Sequence, residues 1–290
     1  MDIWYYNDGE LEQEKIAAEK WMRLIYESPA GSATLLHLVK RKALSRLYGM
    51  YCRTKFSASM IPKFIDDLDI DMDGCTGPYK NFAEFFAREK TNITFPETEG
   101  VLGSPCEGLV TMHNSILPEK LIAAKGSYFP LAELLDDEGL AESYRGGCML
   151  KIRLTPAHYH RMHFFDDGVV TSAKFLDGDL FSVSPLALGS IARLYCRNKR
   201  AIILFESKSF GDVAIVEVGA TFVGSIVHCF NEKERVKRGQ QASYFLPGGS
   251  LVLIFFKNGA VSPNEVIISH TDSGYEVKVS VGDVLGMRLE

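Results

Sequence analysis

Three stretches of this 290-residue sequence hold side chains that could do chemistry. Glu107 precedes a glycine, three of the seven histidines lie between residues 158 and 163, and Ser250 follows a glycine pair. A serine, a histidine and a carboxylate can act as nucleophile, base and orienting acid. Glu107, His163 and Ser250 are therefore candidates for such a set, although nothing in their spacing proves that they meet.

The glycine pair 248–249 stands directly before Ser250, which opens the apolar run 251–256. Glycine permits backbone angles that are closed to other residues. A tight bend there would bring the Ser250 hydroxyl close to the carbonyl of Gly249, so the pattern suits a serine whose target is its own backbone. The alternative interpretation is a glycine turn that leads into a buried strand.

The histidine cluster allows two functional interpretations. His158, His160 and His163 match no common zinc spacing, and no nearby cysteine completes a ligand set, so we expect no metal. Imidazole titrates close to neutral pH and is therefore suited to general acid–base catalysis. The sequence favours this second role.

The elements that must position these residues lie mainly in a β-rich region. Short apolar runs separated by Gly, Pro and Asp predict strands at 108–112, 148–154, 168–175, 201–206, 213–218, 222–229, 251–256, 265–270 and 275–280. Helices are predicted at 81–88, 130–135 and near 185–196. The predicted fold class is α+β, with a sandwich- or barrel-like catalytic core.

The N-terminal region has a different character. Roughly helical spacing predicts helices over 10–26 and from about 33 to 51. Seven Lys and Arg residues and no Asp or Glu lie between Ser28 and Ile65. Such a basic, amphipathic module predicts attachment to an anionic membrane surface, and the alternative is a helical pair with a solvated basic face.

The predicted organisation has three parts. Residues 1–65 form the helical module, 66–95 a connection with a short helix, and 96–290 the catalytic core. No apolar run reaches the roughly 18 residues of a membrane span, and the start of the chain does not resemble a signal peptide. We therefore expect a peripheral location on the cytoplasmic face of the cell membrane.

Composition narrows the class of protein. Hydrophobic residues make up 46% and charged residues 24% of the chain, which are values of a globular protein and not of a disordered one. The net charge of -5 argues against a nucleic-acid partner. Six scattered cysteines without a CxxC pair predict reduced thiols in a cytosolic compartment.

Five runs in a fixed order identify a family. They are Lys-Gly-Ser-Tyr ending at Tyr128, Tyr-His-Arg-Met-His at 159–163, Asn-Lys-Arg at 198–200, Glu-Val-Gly-Ala-Thr at 217–221, and Tyr244-Phe245 ahead of Gly248-Gly249-Ser250. Each run alone is weak evidence for a family, but the presence of all five in this order is specific for one. The chain resembles the phosphatidylserine decarboxylase proenzymes over nearly its whole length.

The resemblance implies self-cleavage between Gly249 and Ser250. Ser250 would attack the Gly249 carbonyl and convert the amide to an ester. Loss of the Ser250 α-proton and elimination would release a chain ending at Gly249, and the remaining dehydroalanine would hydrolyse to a pyruvoyl group. The products would be a 249-residue β chain and, since 290 minus 249 is 41, a 41-residue α chain.

The resemblance also implies the activity and the roles of the site residues. The pyruvoyl group from Ser250 would be the cofactor that converts phosphatidylserine to phosphatidylethanolamine and CO2. By position, Glu107 resembles the family's triad acid and His163 the base in self-cleavage. His160 resembles the histidine that aids decarboxylation and reprotonation. The family also suggests a homodimer.

Four positions depart from the family pattern. Glu107 stands in place of an aspartate, His158 in place of an acid, Pro247 in place of an aromatic residue and Leu251 in place of a threonine. Misplacing a catalytic group by about 1 Å can cost about a hundredfold in rate. Two alternatives therefore stay open: a pyruvoyl-dependent decarboxylase of a soluble amino acid, and a lipid-binding pseudoenzyme that never cleaves.

Overall fold

A computed structural model describes residues 3–15, 23, 42–124, 127–184, 187–188, 191–219, 226–248 and 250–289. Short apolar runs form β-strands along these residues. The strands are β1 Trp4–Asn7, β2 Glu10–Gln13, β3 Val101–Gly103, β4 Gly108–His113, β5 Leu121–Ala124, β6 Ser127–Phe129, β7 Cys148–Leu154, β8 Arg161–His163, β9 Gly168–Leu176, β10 Arg200–Ser207, β11 Gly211–Gly219, β12 Ile226–His228, β13 Arg235–Val236, β14 Gln241–Phe245, β15 Ser250–Phe256, β16 Val261–Pro263, β17 Glu276–Val279 and β18 Val284–Arg288. The helices are α1 Lys42–Cys52, α2 Ile61–Leu68, α3 Phe82–Phe86, α4 Leu131–Leu135, α5 Glu138–Glu142, α6 Leu194–Arg197 and α7 Glu265–Asp272, with a 3₁₀-helix at Lys55–Met60.

A central sheet organises the described strands in the order β13-β9-β10-β11-β15-β7-β4-β17-β1-β2. Neighbours run antiparallel except β1 and β17, which are parallel. The two edge strands, β13 and β2, do not pair with each other, so the sheet is open within the described residues. The α+β, β-rich class is therefore confirmed, and the barrel-like form of the prediction is wrong for this part of the chain.

Strand β15 lies in the middle of this sheet, and all seven of its residues are buried. Side chains along a strand alternate between the two faces. The even-numbered residues from 252 to 256 join one hydrophobic core, and the odd-numbered residues from 251 to 255 join another. Both faces are covered, which explains why β15 reads as a continuous apolar run. Each large side chain buried there contributes about 1.5–3 kcal/mol.

Smaller elements cover the two faces. The three-stranded sheets β12-β14-β8 and β16-β18-β3 supply residues to the core that contains Val252. The hairpin β5-β6 and helices α4, α5 and α6 supply residues to the core that contains Leu251. The central sheet is thus enclosed between a layer of small sheets and a mainly helical layer.

A third cluster of buried residues joins the N-terminal helices to the rest of the protein. We call residues 47–86 the helical cover. Its core holds Cys52 and the aromatic residues of α3, and Ala157 packs against it from the loop after β7. The cover therefore lies directly on the loop that carries the histidines. Among the described residues, no helix is both long enough and apolar enough to cross a membrane.

Residues 265–270 correct one strand prediction. The run Glu-Val-Ile-Ile-Ser-His contains β-branched residues that favour a strand, but it lies inside helix α7. Asn264 stands at the N-cap, and its Oδ1 atom accepts a hydrogen bond of 2.9 Å from the backbone N–H of Val266. This cap supplies a partner for one of the free N–H groups at the helix start, so local capping outweighs strand propensity.

The first described residues correct a helix prediction. Residues 10–13 form strand β2 and pair with β1 across a turn at Asp8-Gly9, where both residues have positive φ. Two positive φ values match the type I′ turn that joins tight hairpins, and β1 adds this hairpin to the edge strand β17. The helical interpretation is wrong for 10–13, while 16–22, 24–41 and 220–225 lie outside the described residues.

The helix predicted near 185–196 is present in part, as α6 at Leu194–Arg197 and as two helical residues at 187–188, whereas 191–193 form a bend and a turn and 185–186 and 189–190 lie outside the described residues. The other element predictions agree with the structure. Helix α1 occupies the described end of the second predicted N-terminal helix, and α3 and α4 lie within the predicted helices at 81–88 and 130–135. The other predicted strands are present, the one at 222–229 as the short strand β12. All six cysteines are free thiols.

Candidate active site

The topology of the central sheet brings the ends of four inner strands together at one end of the sheet. Ser250 begins β15 and lies opposite Gly219, the last residue of β11. On its other side it lies opposite Leu154, the last residue of β7. Strand β4 begins with Gly108 next to that position, since Leu109 pairs with Arg153. Residues just before β4 and just after β7 therefore meet near the start of β15.

Ser250 itself is buried, with 1% of its surface exposed. Its position in the alternation of β15 places it on the same face as Val252, whose core is capped by the small sheets. Gly248 before it has φ of +152°, which glycine adopts far more readily than other residues. Gly249, and with it the peptide bond expected to break, lies outside the described residues.

The carboxylate of Glu107 faces a lysine. Lys90 Nζ donates to Glu107 Oε2 at 3.2 Å, and the same amine lies 3.7 Å from Asp71. The backbone N–H of His163 donates to the carbonyl of Pro105 at 2.9 Å, so the Glu107 turn and strand β8 are neighbours. The side chains of Glu107 and His163, both among the described residues, share no hydrogen bond.

The hydrogen bonds of His163 define its tautomer. Nδ1 lies 3.0 Å from the carbonyl of Gly239, and a carbonyl can only accept, so Nδ1 carries the proton. Nε2 then holds a lone pair and accepts from the Tyr159 hydroxyl at 3.2 Å. Burial lowers the pKa of His163, which keeps the ring neutral near pH 7. His163 also lines a cleft of about 700 Å³ with Lys90 and Arg238, so its position suits a general base.

The ring of His160 is fully buried and packs against Phe86 with the ring centroids 3.9 Å apart and the planes tilted by 36°. Its Nδ1 donates to the carbonyl of His158 at 2.8 Å. Nε2 is therefore unprotonated in the neutral ring, and no group among the described residues bonds to it. Burial, and secondly the charge of Arg88, hold the pKa of His160 well below its usual value. His160 is thus a neutral imidazole with a free basic nitrogen.

His158 has a separate environment. Its Nδ1 accepts from the backbone N–H of Thr155 at 3.0 Å, and burial is the main cause that lowers its pKa to about 3. The three histidines point to three different partners. In the described part of the chain, no group of three or more His, Cys, Asp or Glu side chains is arranged to hold a metal ion.

The buried carboxylate of Glu217 lies beside Ser250; the sequence analysis used its run Glu-Val-Gly-Ala-Thr to identify the family but assigned no role to this residue. Glu217 has no exposed surface, although it stands two residues before Gly219 on the same face of β11. Its Oε2 lies 2.8 Å from Nε2 of His228, and its Oε1 accepts from the Ser243 hydroxyl. A carboxylate buried this deeply needs such partners. The signal in the sequence is the single acidic residue within the apolar run 213–218.

The sequence of this chain is similar to those of known proteins. The family model for phosphatidylserine decarboxylase matches residues 80–287. The phosphatidylserine decarboxylase proenzyme of Clostridium novyi (strain NT) is 40% identical over 281 residues, which cover 95% of this chain and 95% of that protein. The proenzyme of Ruminiclostridium cellulolyticum is 40% identical over 291 residues, with coverage of 99% and 97%. The proenzyme of Clostridium perfringens (strain SM101 / Type A) is 38% identical over 278 residues, with coverage of 94% and 95%.

One solved structure aligns with this chain at low similarity. Glucose permease IIA from Mycoplasma capricolum aligns with 67% of this chain and 98% of its own at 13% identity, with a TM-score of 0.30. The family model and the three proenzymes, in contrast, match most or nearly all of the sequence. The chain belongs to the phosphatidylserine decarboxylase family.

Proposed function

We propose that the chain is a carboxy-lyase that cleaves itself between Gly249 and Ser250 and then converts phosphatidylserine to phosphatidylethanolamine and CO2. The observation that carries this proposal is the position of Ser250. It is the first residue of a fully buried strand. It lies at the same end of the central sheet as Glu107 and the loop that carries His160. Family membership supplies the reaction, and this position supports the residue that performs it.

The surroundings of Ser250 fit a pyruvoyl group. Strand β15 pairs with β7 on one side and β11 on the other over its whole length. After cleavage, these two neighbours would hold the new N-terminus in place although it is no longer joined to residue 249. The pyruvoyl group supplies an electron-withdrawing carbonyl for the loss of CO2. The protein has to orient the substrate and move protons around it.

In self-cleavage, the Ser250 hydroxyl attacks the preceding carbonyl, and the amide bond becomes an ester. His163 acts as the base, because burial keeps it neutral and its Nε2 atom holds the lone pair. Tyr159, which donates to that atom, has to release it before a proton can be taken. The carbonyl of Gly239 holds the Nδ1 proton of His163. For Glu107 to stabilise the charged ring as the acid does in comparable triads, its carboxylate has to leave Lys90 and approach His163.

In decarboxylation, His160 acts as the proton acceptor and donor. Its Nδ1 proton is held by the carbonyl of His158, which fixes the ring and leaves Nε2 open. A rigid ring with one open nitrogen can first take up a proton at Nε2 and then deliver it to the carbon that has lost CO2. The ring of Phe86 packs against the imidazole at 3.9 Å between centroids and covers it on that side.

The helical cover supports a location at a membrane surface. Leu47 is 63% exposed, Met50 66% and Phe56 82%, and Arg53 and Lys55 are exposed beside them. Large apolar side chains flanked by basic ones are typical of a helix that lies in a lipid interface. We place the protein as a peripheral component on the cytoplasmic face, with the predicted module 1–65 as its contact with anionic lipid.

Loss of the exposed apolar side chains of the cover should weaken membrane binding. We expect the triple variant Leu47→Gln, Met50→Gln, Phe56→Gln to bind vesicles of phosphatidylserine and phosphatidylcholine about 100-fold more weakly. Each apolar side chain that becomes buried in the lipid contributes about 1.5–3 kcal/mol to binding, and the glutamine side chains keep part of that contribution. Vesicle co-sedimentation measures the change. The matched control replaces Leu117, Ile122 and Val266, which are similarly exposed elsewhere. Equal binding of both triple variants would contradict the assignment.

Two variants of Glu107 separate charge from length. Glu107→Gln removes the charge at constant length, so we expect cleavage to slow about 10- to 100-fold. Glu107→Asp keeps the charge on a shorter side chain and should cleave at least as fast as the natural chain. Cell-free synthesis with time-resolved gels measures both rates. Glu142→Gln, at an exposed ion pair with Arg145, is the control, and natural cleavage by Glu107→Gln would remove Glu107 from the mechanism.

Intact mass of the freshly purified protein, together with product analysis, tests the proposed function. We expect two chains separated between Gly249 and Ser250, the smaller one with a blocked N-terminus, and phosphatidylethanolamine formed from phosphatidylserine in mixed micelles. Two chains that act on a free amino acid instead would favour the soluble-substrate alternative. A single uncut chain without activity would favour the pseudoenzyme.

A further inference from the structure

The guanidinium of Arg88 is a buried cation without a carboxylate partner among the described residues. Arg88 is 1% exposed and follows helix α3. Nη2 donates to the carbonyl of Ala157 at 3.0 Å, but Nε and Nη1 are buried without a hydrogen-bond partner. The ring of Phe85 lies 5.3 Å from the guanidinium carbon and compensates part of the charge. Buried arginines usually pair with an anion through two N–H groups.

Two more polar groups without partners surround the same aromatic residues. The buried hydroxyl of Tyr79 has no hydrogen-bond partner in the described part of the chain, and the Tyr79 ring packs edge-on against Phe85 at 5.5 Å. The open Nε2 of His160 belongs to the ring that packs against Phe86. The charge of Arg88 also lowers the pKa of His160, which places the two side chains within electrostatic reach. Donors for an anion and a basic nitrogen therefore lie around the consecutive rings of Phe85 and Phe86.

The nearest acidic residues along the chain are engaged elsewhere. Glu84 accepts from the backbone N–H of Lys80 at 2.7 Å. Glu89 pairs with the guanidinium of Arg161 at 3.1 Å. Neither carboxylate neutralises Arg88. Because an uncompensated buried charge is strongly destabilising, the arrangement favours an anion that arrives with a ligand.

We propose that Arg88, assisted by the Tyr79 hydroxyl, binds the phosphodiester of the substrate headgroup and holds it beside His160. This assignment rests on the proposed function, because it takes phosphatidylserine as the substrate. A phosphodiester has two non-bridging oxygens and one negative charge. One edge of the guanidinium, formed by the second N–H of Nη2 together with Nε–H or Nη1–H, can donate to both oxygens, and the Tyr79 hydroxyl can add a third hydrogen bond. The open nitrogen of His160 then lies on the reacting side of the headgroup.

The substrate also contains a carboxylate, but that group is a poorer match for Arg88. Only interactions that strengthen in the transition state accelerate a reaction. The carboxylate loses its charge as CO2 leaves, so an arginine bound to it would stabilise the ground state and slow the step. The phosphodiester keeps its charge throughout. An arginine bound there positions the headgroup without opposing the chemistry.

The location of the site agrees with delivery from a membrane. Arg88 lies between the helical cover, whose aromatic core includes Phe85 and Phe86, and the loop with Ala157. The outer surface of the same cover carries the exposed side chains of Leu47 and Phe56. A headgroup drawn from a lipid surface would reach Arg88 by displacing the inner side of this cover.

Binding of two headgroup fragments to the full-length chain tests the proposal without requiring catalysis. Glycerophosphoglycerol carries a phosphodiester and no carboxylate, and N-acetylserine carries a carboxylate and no phosphodiester. Neither has a free amine that could react with a pyruvoyl group. We expect Arg88→Met to raise the Kd of glycerophosphoglycerol about 10- to 100-fold, as for the loss of charged hydrogen bonds, and to leave N-acetylserine unchanged. Phosphorus NMR and calorimetric titrations measure the two constants.

Two further variants keep the result interpretable. Arg145→Met removes an exposed arginine that pairs with Glu119 and Glu142 and should change neither Kd. Arg88→Lys keeps the charge without the planar fork and should give an intermediate Kd, even if Arg88→Met folds poorly. Unchanged phosphodiester binding in Arg88→Lys and Arg88→Met, or a loss confined to N-acetylserine, would overturn the proposal. Phosphodiester binding without decarboxylation of phosphatidylserine would contradict only the proposed function.

Discussion

Replacing Ser250 with alanine is expected to leave a single uncut chain of 290 residues with no carboxy-lyase activity. Alanine has no hydroxyl to attack the preceding carbonyl, so no ester forms and no pyruvoyl group can arise. Because the nucleophile and the cofactor come from the same side chain, the loss should reach the order of 10⁴-fold or more. Intact mass and product formation in mixed micelles measure the two effects.

The fold should survive this substitution. Ser250 already lies in a buried strand, and alanine removes one oxygen without creating a large cavity. Ser172→Ala is the matched control, because Ser172 lies on β9 of the same sheet, where it pairs with Leu204. It should cleave and decarboxylate normally. Cleavage of the Ser250→Ala chain between residues 249 and 250 would show that another group or a contaminating protease breaks the bond.

Separate substitution of the two histidines is expected to divide self-cleavage from decarboxylation. His163→Gln removes the base with a lone pair at Nε2, so cleavage should slow about 10²- to 10⁴-fold. His160→Gln should cleave but then decarboxylate with kcat lowered by a similar factor. Time-resolved mass measurements follow the first step, and product formation per pyruvoyl-containing chain follows the second.

A histidine on the same sheet provides the control. His113 ends β4, five residues from Gly108 and therefore about 17 Å from the candidate site at the usual rise per residue. His113→Gln should change neither step. If His160→Gln blocked cleavage and His163→Gln did not, the two roles would have to be exchanged. Equal loss of both steps in both variants would mean that the loop acts as one structural unit.

The site residues named from the sequence remain a prediction that these experiments test. What folding adds is their grouping. Glu107, the histidine loop and Ser250 are separated by up to 143 positions, since 250 minus 107 is 143. Antiparallel pairing of β4, β7 and β15 nevertheless brings these residues to the same end of the central sheet. Pairing between distant strands depends on the whole sheet, so no local pattern could establish it.

Local patterns were sufficient where local physics dominates. The apolar run of β15 required burial on both faces, and the alternating and apolar runs of β7, β9, β10 and β11 predicted their strands because a strand of such residues has to be covered. The Gly-Gly-Ser step and the ordered motifs were equally sufficient for the family, which the comparisons confirm. These features can be read without knowing any contact.

Other features required the folded chain because they depend on partners far away in sequence. The hairpin at residues 4–13 is a strand pair because β17 offers it an edge. Glu217 is buried through His228 and Ser243, and Arg88 is a cation without a carboxylate. Burial and hydrogen bonding are properties of the packed protein, and a residue type alone does not define them.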